Sequence, residues 1–235
     1  MMATPKRNFA AVLALAAVTA AAAPDRVRAA SVTEVGTGRS DLAVFLLNGP
    51  ILGGETLALG SLVSRLPPTK TVAIILNSPG GNLAEGLRLG RFFHRTRVAT
   101  FVLGHGGLCA SACALAFLGG RGQDGSPSRI KMAGGSLGFH QFRRSRSPAE
   151  SARKYSKADM ERELFNTRTT AYAIIEYLSD IGERMSFLHL MLRSPSAELT
   201  FLGSEDALTY GIHVMDERSE QVTNSTNIRA RVGNR

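Results

Sequence analysis

Apolar positions along the chain gather in short unbroken runs divided by glycine- and proline-rich punctuation. Leu42 to Leu47 is stopped by Asn48-Gly49-Pro50, Thr71 to Leu76 is broken by Asn77-Ser78-Pro79-Gly80-Gly81, and Val98 to Leu103 is followed by His105-Gly106-Gly107. Runs of this length, apolar at every position, predict strands buried on both faces. Between them the apolar positions fall at helical spacing. Leu57, Leu59, Leu62, Val63 and Leu66 predict a helix ended by Pro67-Pro68. Leu83, Leu87, Gly90 and Phe93 predict a second helix, which Gly86 and Gly90 let lie close to the sheet. Cys109 to Leu118 is apolar but too alanine-rich for a strand, and predicts a buried helix.

In the second half, Arg129 to Ala133 and Ser136 to Phe139 predict short strands around Gly134-Gly135, and Arg143, Arg144 and Arg146 mark a basic loop. Ser147-Pro148-Ala149-Glu150 combines a capping serine, a first-turn proline and a reciprocal glutamate, and so predicts a long helix from there to Leu178. A further helix is predicted over Glu183 to Leu192, and a short one capped by Ser204 and ended by Gly211. Strands alternating with helices imply an α/β fold of stacked βαβ units with a mainly parallel sheet and right-handed crossovers. Sites in such sheets lie beyond the carboxyl ends of the strands, where both glycine turns fall.

The two ends read differently. Lys6 and Arg7 precede an apolar, alanine-rich run from Phe9 to Ala23, too short to span a bilayer comfortably, and Val27-Arg28-Ala29 presents a cleavage site. Residues 1–29 are therefore expected to be a signal peptide, with an uncleaved N-terminal anchor as the alternative, and the body to be periplasmic or secreted. Residues 30–40 read as a flexible lead-in, 41–216 as one domain and 217–235 as a polar tail. Removing Lys6, Arg7, Arg26 and Arg28 together with Asp25 takes the formal charge from +9 to +6. That balance favours anionic surfaces such as lipid headgroups, while export argues against nucleic acid as a partner. Cys109 and Cys113 are the only cysteines. An oxidising destination allows a disulfide between them, with two buried thiols as the alternative.

A serine becomes a nucleophile only where a base takes its proton and N–H donors meet the oxyanion. Ser111 follows a strand and a glycine turn and opens an apolar helix. The amide of Ala112 is its natural first oxyanion donor, and Gly80 or Gly81 offers a second. Of the five histidines, His94 and His189 sit within helical patterns and read as partly buried structural residues, His213 has no chemical neighbour, and His105 lies in a glycine-rich turn. His140 ends a strand that should emerge on the edge where Ser111 lies, and is the preferred base. No cofactor and no metal are expected.

Four segments together resemble one family. Asn77-Ser78-Pro79-Gly80-Gly81 before a helix, Ser111 within GLCASACALAFLGG, His140 within GFHQF, and Phe201-Leu202 followed by Ala207 and Tyr210-Gly211-Ile212 are similar, in order, to segments of the Clp protease proteolytic subunit in the ClpP/crotonase superfamily. The leader and the CASAC element look like its exported relatives. The resemblance implies a ClpP-like serine peptidase with Ser111 as nucleophile, His140 as general base and then acid, and the Gly81 and Ala112 amides as oxyanion donors. It implies a peptide or unfolded-chain substrate bound as an added strand beside Arg129 to Leu137. It also implies a C-terminal helical handle that drives homo-oligomer formation.

Two departures qualify it. An exported chain has no ATP-dependent unfoldase to work with. The family's aspartate position, two residues before Phe201, is Leu199, and the adjacent Glu198 reaches His140 only if a one-residue slip turns it round. The alternatives are a non-catalytic envelope scaffold that binds peptides in the same cleft, crotonase-type thioester chemistry, and a Ser/Lys peptidase in which Lys131 replaces the histidine.

Overall fold

The structure is a computed structural model that describes residues 28–141, 155–194 and 198–224. Five strands run parallel at its centre, β2 (Leu42–Asn48), β3 (Thr71–Asn77), β4 (Ala99–Val102), β6 (Arg129–Met132) and β9 (His213–Met215), with β1 (Ser31–Val35) and β10 (Val222–Thr223) added antiparallel at the edges. The order is β1-β2-β3-β4-β6-β9-β10. A smaller sheet, β5 (Leu108–Ala110), β7 (Ser136–Phe139) and β8 (Thr200–Phe201), pairs β5 with β7 in parallel and β7 with β8 antiparallel. The chain is an α/β protein with a mostly parallel central sheet.

Side-chain alternation explains why the central runs carry no polar face. Phe45, Leu47, Val72, Ile74, Leu76 and Val102 join the main core, while Leu42, Val44, Ala73, Ile75, Ala99 and Phe101 form a second cluster on the other face. The main core also takes Leu59 of α1 (Glu55–Val63), Leu87 and Phe93 of α2 (Leu83–Thr96), and nearly all of α3 (Ala112–Leu118). α2 and α3 touch through backbone. A Cβ on Gly86 would stand 2.5 Å from the Ala112 carbonyl oxygen, and one on Gly90 would collide with the Tyr177 hydroxyl, which donates to the Leu115 carbonyl at 2.7 Å.

Several expectations are corrected. Ser31–Val35, read as lead-in, is a strand registered against Val44 to Asn48, because every second backbone group of β2 was open on that edge. Val222–Thr223 likewise pairs with β9 inside the segment read as a tail. Cys109 to Leu118 is not one helix: its first residues pair with β7 and the helix starts at Ala112. The capping sequence Ser147 to Glu150 lies outside the described residues. The described long helix, α4 (Lys157–Asp180), starts instead at Ser156, whose hydroxyl accepts from the Asp159 amide while the Asp159 carboxylate accepts from the Ser156 amide. α5 covers Ser186–Arg193, and α6 covers Ser204–Thr209 with Gly203, not Ser204, at the cap position. Among the described residues no helix is long and apolar enough to cross a membrane.

Candidate active site

β3 and β5 are fastened together by side chains that end the apolar runs. Asn77 donates through Nδ2 to Asn48 Oδ1 at 2.8 Å and accepts the Leu108 amide at 3.1 Å, and Ser78 accepts the Ala110 amide on its carbonyl at 3.0 Å. Sequence reasoning took Asn48, Asn77 and Ser78 as strand-ending residues and assigned them no fastening role. The signal was present, since Asn48 and Asn77 close two apolar strands and fall at one register position.

Ser111 sits where β5 turns into α3, with φ 57 and ψ −121. A residue with a Cβ in that region costs about 1–3 kcal/mol, which surrounding structure must offset. Its amide donates to the Gly138 carbonyl at 3.0 Å. The turn is also crowded from outside, for a Cβ on Gly80 would lie 2.5 Å from the Ala110 oxygen and 2.8 Å from Ser111 Cβ. The result is a hydroxyl held outward at a sharp corner. His140 Nε2 lies 2.8 Å from Ser111 Oγ.

The amides divide clearly. Ala112 is the first residue of α3, so its N–H has no intrahelical acceptor. Ile51 pairs with the Gly80 carbonyl and the Asn82 amide, which leaves the Gly81 amide directed to the other side, and Gly81 lines the cavity beside Ser111. Gly80 is not available as a donor, because its amide is committed to Ser78 Oγ at 3.1 Å. Its contribution is the space left by a missing Cβ.

Ser111, Ala112, Gly81 and His140 open onto a cavity of about 670 Å³. Its floor is apolar, from Leu83, Leu87, Leu115, Phe139 and Met191. Its roof is α4, which presents Glu163, Asn166, Thr167 and Thr170 at this point. One turn further on, the inward positions of the same helix become Ile174, Tyr177 and Leu178, all buried. The helix is polar where it crosses the cavity and apolar where it packs.

Glu198 is not brought to His140. The β7–β8 ladder pairs Phe139 with Thr200 and Gly138 with Phe201 without a slip, so alternation puts residue 198 on the opposite face, and no hydrogen bond or ion pair joins it to His140. Leu199 takes the facing position.

The other candidates are occupied elsewhere. His105 Nδ1 lies 2.9 Å from Glu217 Oε2. His94 accepts from Arg121 Nε at 3.1 Å, and burial beside that guanidinium holds it below the usual histidine range. His213 binds the Pro127 carbonyl, and burial lowers it too. His189 is exposed rather than partly buried. Lys131 is buried in the central sheet, donates to the Met132 and Ala133 carbonyls, and does not line the cavity; burial pushes its ammonium down. Cys109 and Cys113 are bridged. Among the described residues the two strands of the segment Arg129 to Leu137 already have neighbours on both sides, β6 between β4 and β9 and β7 between β5 and β8. No family model matches the chain, and no curated protein matches it.

Proposed function

We propose that the chain is an exported serine hydrolase of the ClpP/crotonase type, cleaving peptides or already unfolded chains through an acyl-enzyme formed on Ser111. One observation carries this reading. Ser111 Oγ stands 2.8 Å from His140 Nε2 at a positive-φ strand-to-helix corner that opens into a cavity. Such a corner is costly and without purpose for an ordinary serine, whereas a nucleophile needs its hydroxyl clear of its own chain and within reach of a base.

In this mechanism His140 takes the hydroxyl proton through Nε2 as Oγ attacks the scissile carbonyl. The oxyanion of the tetrahedral species accepts from the amides of Gly81 and Ala112. Collapse breaks the C–N bond, and His140 returns its proton to the leaving amine. Water then attacks the ester carbon, activated by the same imidazole, and Ser111 leaves with the proton. The substrate lies in the cavity between the apolar floor and the polar face of α4. No cofactor takes part. The self-association carried by the family reading finds support in Met160, Leu164, Phe165 and Tyr172, large apolar residues exposed on α4.

A second reading, a peptide-binding scaffold without turnover, is favoured by Leu199, which stands where the third member of a triad would need a carboxylate. Treatment of mature protein with a fluorophosphonate separates the two. Labelling lost in both Ser111→Ala and His140→Ala supports the hydrolase. Equal labelling of Ser111→Ala removes Ser111 as nucleophile, and no labelling of the wild type leaves the scaffold.

A further inference from the structure

We propose that the Cys109–Cys113 disulfide is a clamp that sets the nucleophile. It deepens the hydrolase reading and rests on it for the activity it controls.

The bridge spans Ser111 symmetrically, two residues to either side, and joins the middle of β5 to the second residue of α3. The residue at its centre holds a conformation that L side chains rarely adopt. Other contacts hold the two ends of the turn, Ala110 through the Ser78 carbonyl and α3 through its buried packing against α2, but the disulfide is the one covalent link between them besides the backbone. β5 has three residues, α3 has seven, and Ala110 and Ala112 flank the serine with side chains too small to wedge the turn. The Ser111 amide has one tether, to Gly138. If φ of Ser111 returned to negative values, its Cβ would swing out of the corner and carry Oγ away from His140 Nε2. That rotation must move the start of α3 relative to β5, and the bridge holds their Cα atoms 5.2 Å apart.

Both half-cystines are wholly buried, with relative exposures of 0%. A reductant cannot reach sulfur in the folded chain, so the bridge is a fixed clamp and not a reversible switch. Its formation then decides when the nucleophile is set. Before oxidation the turn lacks its clamp. After export, and before β5 and α3 pack over the sulfurs, a protein disulfide donor transfers its bond by thiolate exchange: one cysteine forms a mixed disulfide, the other displaces the donor, and the two thiol protons end on the donor, which leaves as a dithiol. A hydrolase made in a reducing compartment is thereby kept slack until it has left it.

The test compares the bridged wild type with Cys109→Ala/Cys113→Ala, and with Cys109→Ala/Cys113→Val, which refills part of the sulfur volume. Two readouts are taken: the second-order rate of fluorophosphonate labelling, and the ring-nitrogen NMR signal of His140, with Ser111→Ala as the reference for a broken Oγ–Nε2 contact. The expected result is cooperative unfolding in at least one variant, labelling slowed at least about tenfold, and a His140 signal moved to the Ser111→Ala position. Labelling within about twofold of wild type together with an unmoved His140 signal overturns the clamp. Failure of both variants to fold also overturns it, since the bridge is then a general staple. If the wild type itself is not labelled, the hydrolase reading fails alone, and the His140 signal still decides the clamp.

Discussion

Leu199 stands across the β7–β8 ladder from His140, one residue beyond the Phe139–Thr200 pair, and its Cδ2 would lie 3.4 Å from a Cβ on Gly138, the residue two before His140 on the same face. An isobutyl group there neither orients an imidazole nor stabilises an imidazolium. Leu199→Asp places a carboxylate on the histidine's side of the strand pair. The expected outcome is a kcat at least about tenfold higher, equivalent to about 1.4 kcal/mol off the barrier. A rate unchanged or lower, in protein shown to be folded, would mean that Nδ1 is held by something the substituted acid cannot replace.

Glu198 provides the control. Its position alternates away from His140, so Glu198→Gln is expected to leave kcat within about twofold of wild type. A tenfold fall, corresponding to about 1.4 kcal/mol, would show that the carboxylate turns round to His140 during the reaction.

Gly80 gives a steric prediction. Its φ of 96 is disfavoured for any residue with a Cβ, and that Cβ would meet backbone at Ala110 and Ala112 on either side of the nucleophile. Backbone cannot move aside as a flexible side chain does. Gly80→Ala is expected to slow fluorophosphonate labelling at least about 100-fold while leaving far-ultraviolet circular dichroism unchanged. Normal labelling would show that the turn has slack.

Glu85 ties α1 to α2, accepting the Thr56 amide at 2.8 Å and pairing with Arg88 at 2.6 Å. Burial pushes its carboxyl up, but the Thr56 amide and the Arg88 guanidinium outweigh that and hold it below the ordinary value of 4.5. A folded value below the unfolded one means that the unfolded chain binds more protons as the pH drops. The stabilisation is thus present above 4.5 and lost as the pH falls through the folded value. Glu85→Gln is expected to cost about 1–3 kcal/mol at pH 7, with the exposed Arg88 contributing little of it. Thermal unfolding at pH 7 and at pH 3 checks this, since the difference between wild type and variant should shrink at the lower pH. A constant difference would assign the effect to packing.

How far the site could be read in advance differs residue by residue. Ser111 and His140 were legible because each ends or follows an apolar run at a sheet edge, and a parallel sheet gathers such ends on one side. The division of labour between Gly80 and Gly81 was not, because the Gly80 amide is spent on Ser78 Oγ while Gly81 lines the cavity, and adjacent glycines carry no mark of that. The roof of the cavity was also hidden, since Glu163, Asn166 and Thr170 look like the solvated side of an ordinary amphipathic helix until the helix is laid across the cleft.

The sequence by itself determined the central strands, the helices between them and the order of the glycine turns, because burial on both faces, helical spacing and proline are properties of neighbouring residues. Only the tertiary structure decided that Ser31–Val35 closes one edge, that Ser111 takes a positive φ, and that α4 roofs the cavity. Each of these depends on pairing or contact between segments far apart in the chain, or on a backbone angle such contacts impose, and no local pattern of residues encodes them.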